Sequence, residues 1–430
     1  MFANHDNSGT ATTTSYRVVL PFYFYAAIAF LVATVLLFLS TGDLQGHYFH
    51  PHTLAITHTM ALGWGTMIIL GASHQLVPVL IEGPLYSNRL AYLSFLLAAA
   101  GIPLLVYGFY VFDVGWPTQT GALLLIGAII CFLINLGTSM VQSKKENIHA
   151  LSVFTASLWL LATAVVGLLL LCNFSQPLLP AGSLSYLSLH AHMGIVGWFL
   201  LLVTGVGSRL IPMFLISKYT HTKTLWWIFM LINTGLLAFV FLFLYTNSRW
   251  LFVWPLLAIA AAIVLFGHFC FRAYQERIRK KVDEPMQLSL LSVLLLLLPI
   301  LLLILIVVWL MLSPAVNSQL VIAYGFIVFF GWITAIVLGM TFKTLPFIVW
   351  NKVYHDLAGK GKTPNPKDLF TQAVFNWMGL SYVAGFVVFT TGLFLQQAGI
   401  LQTGSVLLLI TAVLYNWNVM KLLIHKATIV

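Results

Sequence analysis

The chain has 430 residues, of which 60% are hydrophobic and 7% charged, with a mean hydropathy of +0.98 and a formal net charge of +10. A soluble globule carries a charged share of about a quarter, so this composition excludes one and implies a polytopic membrane protein. The positive charge does not point to nucleic acid, because its distribution follows membrane topology.

The first 17 residues are polar and read as a cytoplasmic N-terminus, without the short apolar core and cleavage site of a secretory signal. Apolar runs long enough to cross a bilayer, ~20 residues each, follow at about 18–41, 53–81, 90–112, 119–142, 149–172, 185–216, 224–246, 251–274, 287–312, 319–350, 370–397 and 401–424. Continuous Leu, Ile, Phe and Val tracts exclude a closed barrel, whose strands alternate apolar and polar residues. The expectation is an all-α integral membrane protein of twelve transmembrane helices, with one membrane domain over 18–430.

If the N-terminus is cytoplasmic, nineteen of the twenty Lys and Arg residues fall at inner ends or inner loops, leaving only Arg249 outside. That bias sets the orientation and places both termini in the cytoplasm; the expected location is a bacterial inner (plasma) membrane. Cys131, Cys172 and Cys270 are isolated, with no CxxC spacing, and read as packing groups.

Three stretches align without a gap: "HTMALGWGTMIILGASHQLVP" from His58, "HMGIVGWFLLLVTGVGSRLIP" from His192 and "FIVFFGWITAIVLGMTFKTLP" from Phe326. Each has a Gly-Trp pair, a Gly seven residues after the Trp and a Pro seven further on. Trp64, Trp198 and Trp332 are separated by 134 residues each time. The copies fall on spans 2, 6 and 10, which implies three quasi-equivalent four-helix units, about 18–142, 149–274 and 287–424. The glycines suit close helix approach.

His58 and His192 each lie six residues before the repeat Trp, at equal depth on helices of the same direction. Two neutral imidazoles so arranged suit the axial positions of a low-spin haem; the plainer alternative is hydrogen bonding within the bundle. His190 lies two residues from His192, about 200° around a helix, so the two cannot grip one metal. His190 could serve a second haem, a copper or simply the interface. Upstream, "GHYFHPHTLAITH" supplies His47, His50 and His52, a cluster suited to copper or zinc, or an ordinary polar loop. Arg249 is a candidate partner for a haem propionate.

His74 is sixteen residues from His58, ~24 Å along a helix, and so belongs to the opposite end. With Arg209, Lys343 and His268 it suits lipid-headgroup contact. All ten carboxylates map to loops or helix ends, which counts against proton pumping.

The sixth span, "HAHMGIVGWFLLLVTGVGSRLIP", resembles the His-x-His helix of subunit I in the haem-copper oxidase superfamily, nearest its cbb-type oxidase and nitric oxide reductase branches. The second span resembles the helix carrying the other low-spin ligand. The resemblance implies a fold of twelve helices in three arcs, His58 and His192 as ligands of a low-spin haem b, and His190 as the proximal ligand of a reactive haem. It departs from the family in having His-x-His on the sixth span instead of the tenth. The tenth span has no histidine, and neither does the seventh, "LWWIFMLINTGLLAFVFLFLY", so a conventional dinuclear centre is not expected. The reading is a haem-binding relative of oxidase subunit I that transfers electrons or senses a gas. The alternatives are a terminal oxidase or nitric oxide reductase catalytic subunit with an unconventional metal site, and a copper- or haem-handling protein. With no Cys-x-x-Cys-His in the chain, an oxidase would need a cytochrome c or other redox partner.

Overall fold

The computed structural model describes residues 14–142, 147–246, 248–313, 315–357 and 362–427. Asp6, Lys144, Lys145, Glu146 and Lys360, used above for topology, lie outside the described residues. Twelve membrane-length helices are present: α1 (Tyr16–Leu39), α2 (Pro51–Ile81), α3 (Asn88–Tyr110), α4 (Trp116–Val141), α5 (Ile148–Ser175), α6 (Ser183–Leu215), α7 (Thr222–Tyr245), α8 (Arg249–Gln275), α9 (Glu284–Leu312), α10 (Ser318–Leu357), α11 (Gln372–Leu395) and α12 (Ala398–Leu423). No strand occurs among the described residues. In hydrocarbon every backbone group must be satisfied within the segment, and helices meet that demand. The protein is therefore an all-α integral membrane protein, embedded in lipid.

Burial separates the helices into two classes. The apolar windows of α2, α6 and α10 are 72%, 78% and 83% buried, against 28–50% for the other nine. These three form the inner bundle, and each is the second helix of a four-helix unit.

The inner helices share a feature that hydrophobic patterning does not report. Each switches from α to π hydrogen bonding for two turns or less, over Thr59–Thr66, Met193–Leu200 and Ile327–Ile333. The switch begins at residues 59, 193 and 327, again 134 apart. A π segment widens the helix and re-aims the side chains beside it, and such segments concentrate at functional sites. His58, His192 and Phe326 are the last α residues before it.

The repeat letters now have distinct physical roles. Gly71, Gly205 and Gly339 sit where the inner helix meets the first helix of its own unit. A methyl group at Gly71 would lie 2.6 Å from Phe22 Cβ; one at Gly205 would strike Ser152; one at Gly339 would strike Ser289 and lie 2.6 Å from Pro285 O. Trp64, Trp198 and Trp332 are almost wholly buried, and the indoles of Trp64 and Trp198 link one unit to the next. Trp198 Nε1 donates to Thr66 Oγ1 (2.9 Å) and Trp64 Nε1 to Thr334 Oγ1 (3.2 Å). Thr66 and Thr334 are equivalent repeat positions, so unit two is tied to unit one, and unit one to unit three, by the same bond. Leu200 stands at the third position and offers no acceptor. The cyclic order of these bonds is the quasi-threefold relation expressed in chemistry.

Candidate functional site

A cavity of about 740 Å³ opens at the end of the bundle where α2 and α6 begin, and His58, His190, His192 and Tyr324 all line it. That volume falls within the ~300–1,000 Å³ typical of ligand and cofactor pockets. Aromatic and aliphatic groups make up most of the wall, including Phe109, Phe199 and Phe329.

Each imidazole is held through one nitrogen by a backbone carbonyl. His58 Nδ1 lies 2.8 Å from Leu54 O, and His192 Nδ1 lies 2.8 Å from Ser188 O, both four residues earlier on their own helices. His190 Nδ1 reaches Thr163 O on α5, at 3.0 Å. A carbonyl only accepts, so the proton sits on Nδ1 and Nε2 keeps its lone pair. This is the tautomer that a ligating histidine needs, with the second nitrogen anchored to fix the ring. His192 Nε2 is buried and has no hydrogen-bond partner.

The pairing differs from the expectation drawn from depth alone. The His58 ring faces His190, with centroids 6.4 Å apart and planes 24° from parallel. His192 instead faces Tyr324, at 5.8 Å and 27°. Residues 190 and 324 occupy equivalent repeat positions, as do 58 and 192, so the two contacts are the same contact made at successive interfaces. Position 58 of one unit meets position 190 of the next. Distance along the helix puts His58 level with His192, as expected for a shared iron, but the ring that His58 contacts is that of His190. Gly167 on α5 makes room for His190: a methyl there would approach the imidazole to 2.9 Å.

At the remaining interface the equivalent positions are Phe326 and Ile56. Phe326 packs on Phe389 (4.4 Å), Phe330 (5.0 Å) and Phe386 (6.0 Å); it and Ile56 line the same cavity but carry no ligating atom.

Other candidates lie elsewhere. Arg249 is not among the residues lining the cavity; its Nη1 donates to Leu310 O at 2.6 Å. His47 accepts a bond from the Phe49 amide (3.1 Å) and rests on Tyr48, apart from His50 and His52. His74 is not at the surface as headgroup contact would require: it is buried between Phe22 and Phe132, with Nδ1 on Leu70 O. Lys343 pairs with Asp283 (2.5 Å) in a second cavity of about 1,140 Å³ at the other end of the bundle. The described carboxylates lie in loops or at helix ends, as expected.

Sequence reasoning missed Tyr324 as the neighbour of His192 and Thr163 as the anchor of His190. The tyrosine at the repeat equivalent of His190 was the available signal, since a phenol there marks a position that faces inward.

No family model matches the chain, and no curated protein matches it in sequence. The fold and the site together describe a twelve-helix membrane protein with a histidine-lined cavity within its inner bundle. A solved structure described as a heme-copper terminal oxidase dimer is similar to it in fold, with a TM-score of 0.71 over 95% of this chain and 85% of that one, at 12% identity. The chain thus shares the fold of a heme-copper terminal oxidase.

Proposed function

We propose that this chain holds a b-type haem between His58 and His190 and carries electrons through it. The observation that supports this reading is the spacing of the two anchored imidazoles. Two metal–nitrogen bonds of ~2.0 Å, with ~1.1 Å from each nitrogen to its ring centre, would put the ring centres roughly 6.2 Å apart if both Nε2 atoms met one iron; the rings stand at 6.4 Å. The free Nε2 atoms, the backbone anchors and the apolar cavity fit the group as well. Haem supplies a reversible one-electron couple when bound.

The residues divide the work. Leu54 O and Thr163 O hold the two rings in the ligating tautomer. Phe109, stacked on His58 at 4.4 Å, helps to hold that ring in place. A haem held by both His58 and His190 would leave no open site for a gas, which favours electron transfer over gas sensing. The shared fold supports an oxidase-like reading. Copper belongs to that reading only by analogy. Arg249, committed to Leu310, is not needed for a propionate.

The distribution of basic residues supports an orientation with both termini cytoplasmic, in a bacterial inner (plasma) membrane. The haem then lies toward the outer face, where a cytochrome c or another redox subunit would exchange electrons with it. A second reading is favoured by one observation, the unpartnered His192 Nε2 in the same cavity. This nitrogen would hold a second haem with one side open, beside Tyr324, as in a terminal oxidase or nitric oxide reductase catalytic subunit. A reduced-minus-oxidised spectrum of the purified protein tests the main reading. The expected result is a low-spin b-type band that carbon monoxide leaves unshifted; a protein that binds no haem refutes it, and a carbon monoxide shift turns the assignment to the second reading.

A further inference from the structure

The loop between α1 and α2 brings a carboxylate to two of the histidines at the helix start. Asp43 opens a short 3-10 turn after α1, His50 is the N-cap of α2, and His52 lies in its first turn. Asp43 Oδ2 is 2.6 Å from His52 Nδ1, and Asp43 Oδ1 is 3.8 Å from His50 Nε2. The two rings are 5.1 Å apart and nearly perpendicular, at 76°. One potential ligand atom from each of the three residues lies within 4.8 Å of the others.

We propose that Asp43, His50 and His52 form a binding site for a divalent late-transition ion of the zinc and copper class. Two imidazoles and one carboxylate are a donor set this class favours over magnesium or calcium, which take oxygen ligands. The three side chains are each about a third exposed, so a fourth position stays open to water. The His52 ring is stacked on Tyr110 of α3 at 4.4 Å, which orients it from outside the ligand set. His50 Nδ1 accepts from the His52 amide at 3.3 Å, long for such a bond. Coordination through His50 Nε2 moves that ring's proton to Nδ1 and releases this weak cap. His47, bonded to Phe49, is not part of the set.

The site ties the end of α1 to the start of α2, six residues before His58. It does not depend on the haem assignment, because none of its three residues lines the histidine cavity. The test uses the full chain in detergent with any affinity tag removed and metal stripped. Titration with Zn²⁺ followed by calorimetry is expected to give one tight site per chain. His50→Ala and His52→Ala each weaken it at least 100-fold, Asp43→Asn at least tenfold, and His47→Ala leaves it unchanged. Cu²⁺ bound at one equivalent to the unaltered chain is expected to show superhyperfine coupling to two imidazole nitrogens, a readout independent of how the variants fold. No stoichiometric site, loss of binding in His47→Ala, or coupling to fewer than two nitrogens overturns the proposal.

Discussion

At the interface between the first and second units, the two facing positions of the inner helices hold His58 and His190, each anchored through Nδ1 and each lining a cavity. At the interface between the third and first units, the same two positions hold Phe326 and Ile56, which line the same cavity without a ligating atom, and rings from α10 and α11 pack around Phe326. The backbone is shared, down to the π segment that follows position 58 in every copy. The scaffold letters and the chemistry letters are therefore separable. Gly, Trp and Thr keep the units together, while the residue before the π segment decides whether an interface carries an imidazole or only an apolar ring. The middle interface, His192 facing Tyr324, stands between these extremes, with one imidazole and one phenol.

Breaking the first interface is expected to have the largest effect. His58→Ala should remove essentially all bound haem while the protein still inserts and purifies, read by pyridine haemochrome content per chain. A preparation retaining half its haem would move the site elsewhere. Next in size is a scaffold substitution away from the cavity. Gly339→Val forces a side chain into Ser289 and the Pro285 carbonyl, and overpacking of this kind costs about 3 kcal/mol. The expected outcome is a lower thermal midpoint in detergent, with haem spectra unchanged in whatever protein remains folded.

The tryptophans sharpen the comparison between interfaces. Trp198→Phe loses the bond to Thr66, and Trp64→Phe the bond to Thr334, each worth about 1 kcal/mol. Trp332→Phe faces Leu200 at the equivalent position and should cost about 1 kcal/mol less than either. Equal losses in all three would show that volume, and not the hydrogen bond, carries the repeat. Smallest of all is Phe326→His, which restores an imidazole without clearing the rings around it. Haem content per chain should stay at the unaltered value, because Ile56 offers no second ligand, and a doubled content would show that one imidazole is enough there.

Much of this architecture was legible in the sequence, for physical reasons that can be named. Apolar length marks the spans, so the helix ends fall within a few residues of the expected runs, except that α10 runs on to Leu357 against 350. Examples are Pro51–Ile81 against 53–81 and Asn88–Tyr110 against 90–112. The 134-residue spacing of Trp64, Trp198 and Trp332 foretold equivalent helices because each tryptophan fills the same buried place. The π segments were not legible, since a change of hydrogen-bond ladder leaves hydrophobic periodicity almost untouched. Depth along a helix can be counted from residue numbers, and it put His58 level with His192. Which ring His58 meets depends on the angle around the axis and on the cyclic order of the units, neither of which residue counting supplies. Asp43 escaped notice for a related reason: a turn folds it back onto His50 and His52 from seven to nine residues away.

The central claim, that His190 and not His192 completes the site begun by His58, is tested most directly by comparing two variants. Reduced-minus-oxidised optical spectra and low-temperature electron paramagnetic resonance of His190→Ala and His192→Ala should differ sharply. The account expects the low-spin haem signal to vanish in His190→Ala and to persist in His192→Ala. Loss of the signal in His192→Ala with retention in His190→Ala would contradict it.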